Sequence, residues 1–139
     1  MTSPDLAPIL VAEDNDQDYE VFTEVAKELG CPRPLRRSVT GEQCVDLLSG
    51  PGAINPLVLF LDLNMPGMDG REVLNKLRED KNRGVLPVVV LSTSSNPKDI
   101  QACYADGANS YHCKPLEAPR YRELIRNMLQ YWISAEVVS

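Results

Sequence analysis

Only one histidine, His112, and one tryptophan, Trp132, occur in the 139 residues. A single imidazole excludes a His-rich metal centre and argues against a Ser-His-Asp triad. Positive charge is scarce. Fourteen Lys and Arg face twenty Asp and Glu, a net charge of −6. An acidic chain lacks the basic surface that displaces counterions from phosphates, so no nucleic-acid partner is expected. The longest clean apolar run, Leu57-Val58-Leu59-Phe60-Leu61, falls far short of the roughly 20 residues that cross a bilayer. The N-terminus carries Asp5 and prolines instead of a basic region and an apolar stretch, so no signal peptide is expected. The four cysteines (Cys31, Cys44, Cys103 and Cys113) form no C-x-x-C. Neither a zinc site nor a redox motif is indicated, and reduced thiols in a cytoplasmic protein are the expectation. Gly50-Pro51-Gly52 lacks a third glycine, and no Gly-Lys-Ser/Thr follows it, which excludes the common phosphate-cradling loops.

What is present fits one domain spanning 1–139, with a core of about 8–133 and nothing left over for an output domain. Short continuous apolar runs alternate with helical patterns. Ile9 to Ala12 reads as a strand buried on both faces. Tyr19, Val21, Phe22, Val25, Ala26 and Leu29 follow at helical spacing, with Gly30 as the stop. Leu35 to Val39 is a weaker strand. Thr40 caps a helix through Leu48 whose inward residues are Cys44, Val45, Leu47 and Leu48. Leu57 to Leu61 is a second buried strand. Asp69 caps a helix with Val73, Leu74 and Leu77, which Gly84 is expected to break. Pro87 to Leu91 is another buried strand. Pro97 opens a helix ending before Gly107. Ser110 to Cys113 is a short strand, and a last helix begins near Pro119 with Tyr121, Leu124, Ile125, Met128 and Trp132 on one stripe. Five solidly apolar or short strands alternating with five helices indicate an α/β fold, a doubly wound parallel sheet covered on both faces.

In such sheets ligands bind beyond the carboxyl ends of the strands. There the sequence puts Glu13 and Asp14 after the first strand, Asp62 after the third, Ser92 after the fourth and Lys114 after the fifth. Gathered carboxylates repel one another and raise a pKa unless a cation neutralises them. All-oxygen ligands select a hard ion such as Mg²⁺. A carboxylate set among metal, amine and hydroxyl is arranged for phosphoryl transfer. Taken singly, each residue has a plainer reading as a solvated strand end or a surface amine. Their coincidence at one end of successive strands is what the plainer reading does not explain. Asp14, Asp16 and Asp18 also alternate as in a calcium loop, but Tyr19 and Val25 stand where that loop needs Gly and Glu.

These residues resemble the receiver domain of two-component response regulators. The resemblance rests on Leu10-Val11-Ala12-Glu13-Asp14, on Leu61-Asp62-Leu63-Asn64-Met65-Pro66-Gly67-Met68-Asp69-Gly70, on Leu91-Ser92-Thr93 and on Lys114-Pro115. It implies a flavodoxin-like sheet of order 2-1-3-4-5 and no enzyme beyond self-phosphorylation and autodephosphorylation. It implies that Asp62 accepts a phosphoryl group from the phosphohistidine of a sensor histidine kinase. Asp14 and Asp62 would ligate Mg²⁺, with Asn64 through its backbone carbonyl and Glu13 through a water. Lys114 would contact the phosphoryl group, and its bond to Pro115 would be cis. Ser92 and Tyr111 would be the switch hydroxyl and aromatic, with Thr93 a competing hydroxyl. Asn64 and Ser94 would flank the attacking water and tune dephosphorylation. Glu13-Asp14-Asn15 with Asp18, the run Val89 to Ser94 and Tyr131-Trp132-Ile133 look similar to single-domain regulators that pair with phytochrome-type histidine kinases.

Without a DNA-binding module, output is expected through contacts with a downstream protein target on the face of the fourth helix, fifth strand and fifth helix. Leu129, Tyr131 and Ile133 lie outside the main stripe of the last helix, which points to a homodimer there. A receiver-like module that binds partners without phosphorylation is the alternative. An aspartyl phosphatase shares the chemistry but would need a capping insertion for which this length leaves little room.

Overall fold

The computed structural model describes residues 2–80 and 85–135. Ten elements alternate in chain order: β1 (Ile9–Ala12), α1 (Asp16–Glu28), β2 (Leu35–Ser38), α2 (Gly41–Ser49), β3 (Val58–Asp62), α3 (Gly70–Glu79), β4 (Val88–Ser92), α4 (Pro97–Ala105), β5 (Ser110–Cys113) and α5 (Ala118–Ser134). All pairings are parallel, in the order β2-β1-β3-β4-β5. The expected class and the order implied by the family resemblance are both observed.

The strand sequences follow from that order. β1, β3 and β4 lie inside the sheet with helices on both faces, and every residue of the three is buried. Period-2 alternation then has apolar groups to send both ways. Ile9, Val11, Val58, Phe60, Val89 and Leu91 point to the layer of α1 and α5, where Phe22, Val25, Ile125 and Leu129 meet them. Leu10, Ala12, Leu59, Leu61, Val88 and Val90 point to the layer of α2, α3 and α4, where Leu48, Val73, Leu74 and Cys103 meet them. β2 and β5 are the edges, and their sequences, LRRS and SYHC, are correspondingly polar.

Local signals set most boundaries. Asn15, Thr40, Asp69 and Asn96 each accept a hydrogen bond from a backbone N–H of the helix they precede. Gly30 follows α1 with φ of 65°, the left-handed stop expected there. Two strands sit one residue later than the sequence indicates. β3 starts at Val58 and takes in Asp62, and β4 starts at Val88 and takes in Ser92. Pro87 has no N–H to donate to a ladder, although its carbonyl accepts from Leu59. The break expected at Gly84 lies outside the described residues.

Leu129 corrects the reading of the last helix. It is fully buried in the α1–α5 layer rather than set around the cylinder, while Tyr131 is 63% exposed and Ile133 packs against the core edge. One helical turn separates Leu129 from Ile125, and the helix lies deep enough against β4 to bury both. The Lys114–Pro115 bond is trans, as is every peptide bond among the described residues. The trans form is the lower in energy for an X–Pro bond by about 0.5–1 kcal/mol, and with it the Lys114 side chain already reaches the acids described below. No helix among the described residues is long and apolar enough to cross a membrane.

Candidate functional site

The carboxyl ends of β1, β3, β4 and β5 converge because parallel strands all finish at one edge. The register aligns Ala12 with Leu61 and Asp62 with Leu91. Glu13 therefore follows β1 beside the end of β3, and Ser92 ends β4 next to Asp62. Glu13, Asp62 and Ser92 are 1%, 2% and 2% exposed. Asp14, one residue on, faces solvent. Each of Glu13, Asp14 and Asp62 offers one carboxylate oxygen, and these oxygens lie within 4.8 Å of one another.

Lys114 supplies the cation. Its backbone N–H donates to the Ser92 carbonyl at 2.7 Å, which fixes the turn leaving β5. Its Nζ donates to Glu13 Oε1 and Asp62 Oδ2, each at 2.9 Å, and reaches Asp18 Oδ2 at 3.4 Å. Burial alone lowers a lysine pKa, but here Asp62 and Glu13 outweigh it and raise that of Lys114. Burial raises the pKa of Glu13, the Asp62 carboxylate beside it raises it further, and Lys114 offsets only part, leaving it pushed up to about 8. One ammonium is thus insufficient for the acids around it. The donor set is all oxygen, one carboxylate opens to solvent, and the negative charge is undercompensated. The arrangement fits a hard divalent ion held partly by water.

Three loops shape the cleft. After Asp62, the Asn64 N–H donates to Asp62 Oδ1 at 2.9 Å, closing a tight turn. Further along that loop, Met68 N–H donates to Glu42 Oε1 at 2.7 Å. Gly67 has φ of 78°, and a Cβ there would meet the Glu42 carboxylate, so glycine is required for the clamp. Arg37 of β2 holds the β1–α1 turn. Its Nε donates to the Glu13 carbonyl at 2.9 Å, its other arm pairs with Asp16 at 2.9 Å, and its guanidinium lies over the Tyr19 ring.

The third loop, after β4, separates the remaining sequence candidates. Ser92 is buried, whereas Thr93 is exposed, its N–H donating to Asn64 Oδ1 at 3.3 Å. Tyr111 turns inward and its hydroxyl donates to the Ser94 carbonyl at 2.7 Å. Ser94 does not point its hydroxyl at the acids. It donates to Asp99 Oδ2 at 2.6 Å. The structure thus brings Glu13, Asp14, Asp62 and Lys114 together with Ser92 at the rim, and keeps the Ser94 hydroxyl apart. Sequence reading missed Asp18, Arg37, Glu42 and Asp99 as neighbours of the site. Asp18 carried a weak signal, lying in the first turn of the helix that follows Glu13 and Asp14. Asp99 lies in the first turn of α4, five residues past Ser94. Arg37 and Glu42 come from distant segments, and nothing in their own neighbourhoods marks them.

The response regulator receiver domain model matches residues 9–126. This chain belongs to the response regulator receiver domain family. The curated response regulator Rcp1 of Synechocystis sp. is 30% identical over 129 residues, which cover 90% of this receiver domain and 88% of Rcp1. The crystal structure of the Mn(2+)-bound form of Rcp1 superposes with a TM-score of 0.90 at 28% identity, covering 96% and 99% of the two chains. The phosphorylated cyanobacterial phytochrome response regulator RcpA gives a TM-score of 0.89 at 31% identity, and a response regulator in red light signaling of R. palustris gives 0.83 at 37%. Each of these two comparisons also covers 96% of this receiver and 99% of the other chain.

Proposed function

We propose that this receiver domain is a phosphoryl-accepting switch with Asp62 as acceptor. In the reaction an Asp62 oxygen bonds to phosphorus as the bond from phosphorus to the imidazole nitrogen of a sensor kinase phosphohistidine breaks, its electron pair going to nitrogen. The observation that carries this reading is Asp62 itself. It is a buried carboxylate at a strand end, 2.9 Å from the Lys114 ammonium and ringed by two further acids whose oxygens lie within 4.8 Å. Mg²⁺ is the proposed ion, held by Asp14 and Asp62, by the Asn64 carbonyl and by Glu13 through a water. When bound it neutralises charge on the transferring group. Lys114 pairs with the phosphoryl oxygens, and catalysis is positioning and charge stabilisation.

Phosphate adds about −1.5 to −2 charge at Asp62. Ser92 then turns its hydroxyl toward the new oxygens, Tyr111 follows into the space it leaves, and the face of α4, β5 and α5 is the output surface. Asn64 tunes the lifetime of the acyl phosphate, whereas Ser94, the other position the resemblance implies for that role, has its hydroxyl committed to Asp99. The likeness to cyanobacterial and red-light regulators supports a phytochrome-type histidine kinase as donor. The chain is read as a single-domain cytoplasmic regulator acting on a protein target, with a homodimer through the same face, where Tyr104 and Tyr131 are exposed.

Incubation with phosphoramidate and Mg²⁺, followed by intact mass and peptide mapping, tests the reading. One phosphoryl group on the peptide carrying Asp62, lost in Asp62→Asn, is the expected result. Stoichiometric labelling that persists in Asp62→Asn, or no labelling of the folded wild type, overturns it and favours a binding module that works without phosphorylation.

A further inference from the structure

The loop between β4 and α4 is organised around Ser94, whose polar atoms all have partners. Its N–H donates to the buried Ser92 Oγ at 3.1 Å. Its carbonyl accepts from Tyr111 Oη at 2.7 Å and from Cys113 Sγ at 3.2 Å. Its hydroxyl accepts from the Asn96 N–H at 3.2 Å and donates to Asp99 Oδ2 at 2.6 Å. The last of these is short and charge-assisted, the strong kind of hydrogen bond.

The position of Asp99 makes this unusual. Asn96 is the N-cap of α4 and Pro97 the first helical residue, so Asp99 is the third. In a capping box a Glu or Gln there reaches back to the backbone N–H of the cap residue. Here that N–H goes to the Ser94 hydroxyl, and the acid takes the hydroxyl proton instead. The result is a relay from Asn96 N–H through Ser94 Oγ–H to Asp99. The helix N-terminus favours the negative charge in place, so the relay is held at both ends. A side chain one hydrogen bond away from the switch serine is thereby turned from the cleft.

We propose that Asp99 is a positioning residue that withholds the Ser94 hydroxyl from the acyl phosphate and so lengthens the life of the phosphorylated state. The proposal rests on the reading of Asp62 as phosphoacceptor. In hydrolysis the water oxygen bonds to phosphorus, the bond from phosphorus to the Asp62 oxygen breaks with its electron pair returning to the carboxylate, and both water protons leave on dihydrogen phosphate. A free hydroxyl beside the cleft can hold that water in line. A hydroxyl committed to Asp99 cannot.

The test is a set of decay measurements on protein labelled with phosphoramidate and Mg²⁺ and then desalted. Asp99→Ala is expected to shorten the acyl-phosphate half-life by at least about fivefold. Ser94→Ala alone should leave it within about twofold of wild type, because that hydroxyl is already withheld. The double variant Asp99→Ala with Ser94→Ala should return to the wild-type half-life, a reversal that mere loosening of the loop does not produce. Asp99→Asn keeps an acceptor for the hydroxyl and should lie between wild type and Asp99→Ala. Failure of the wild type to label defeats the phosphoacceptor reading. Normal labelling with an unchanged half-life in Asp99→Ala, or with no reversal in the double variant, defeats the role of Asp99 alone.

Discussion

The Lys114 ammonium is divided evenly between Asp62 and Glu13, at 2.9 Å from each. One buried cation therefore serves two buried carboxyl groups, of which Glu13 holds a proton up to about pH 8, and the two respond in opposite senses when it or they are removed. Lys114→Met leaves the acids facing each other without a counter-ion. Glu13 relieves part of that by keeping its proton, so the expected loss is about 2 kcal/mol rather than the 3–5 typical of a broken buried pair. Mg²⁺ should restore most of it, and denaturant melts with and without the ion measure both. A loss that the ion does not reduce would show that the charges are not what Lys114 balances. The same variant should still fold but should no longer couple phosphorylation to partner binding.

Asp62→Asn has the opposite sign. It removes one of two carboxylates competing for one ammonium, and the metal-free variant is expected to be as stable as wild type or more so, by up to about 1 kcal/mol. Its Mg²⁺ affinity should fall at least about tenfold, since a carboxylate ligand is gone. A strongly destabilised Asp62→Asn would mean that Asp62 is a structural anchor of the sheet rather than a strained acid kept for chemistry.

Glu13 sets a pH dependence. Its folded pKa, about 8, lies above its ordinary value of 4.5, so the folded state binds more protons between those limits. That contribution to stability is fully present below about 4.5 and is lost as pH rises through 8. The metal-free protein should therefore lose stability across this window at Glu13, and Glu13→Gln should flatten the slope. Divalent ions bind the ionised form, so apparent Mg²⁺ affinity should strengthen over the same range. Isothermal titration at several pH values checks this. An affinity independent of pH, or a slope that Glu13→Gln leaves intact, contradicts it.

The Glu42 clamp on the β3–α3 loop yields a further expectation. Gly67→Ala places a methyl group against the Glu42 carboxylate at φ of 78°. The cost is expected to be about 1–2 kcal/mol. Mg²⁺ binding should weaken as well, because the loop also carries the Asn64 carbonyl. Equal metal affinity in the folded variant would dissociate the clamp from the site.

Tyr131 offers the cleanest test of the proposed dimer face, being exposed and adjacent to Trp132. Tyr131→Glu should change monomer stability by no more than about 0.5 kcal/mol, while abolishing any dimer of the phosphorylated protein in sedimentation velocity. An unchanged sedimentation profile would remove this face as the dimer contact. Shortening the chain after Met128 is not an equivalent test, since it deletes the fully buried Leu129 and with it part of the core.

The sequence by itself determined the alternation of elements, because an apolar run such as Val58 to Leu61 is soluble only when both of its faces are covered, and because caps at Asn15, Thr40, Asp69 and Asn96 act within a few residues. It also identified Glu13, Asp14, Asp62 and Lys114, since the ends of parallel strands must share an edge. Only the tertiary structure decided which of the two neighbouring hydroxyls is buried at the end of β4. Ser92 and Thr93 are alike in chemistry, and strand parity and a one-residue shift in the end of β4 bury the first and expose the second. It likewise decided that Leu129 is core and that Ser94 answers to Asp99. Such choices depend on helix depth and loop rotamers, which long-range packing sets and local spacing does not encode.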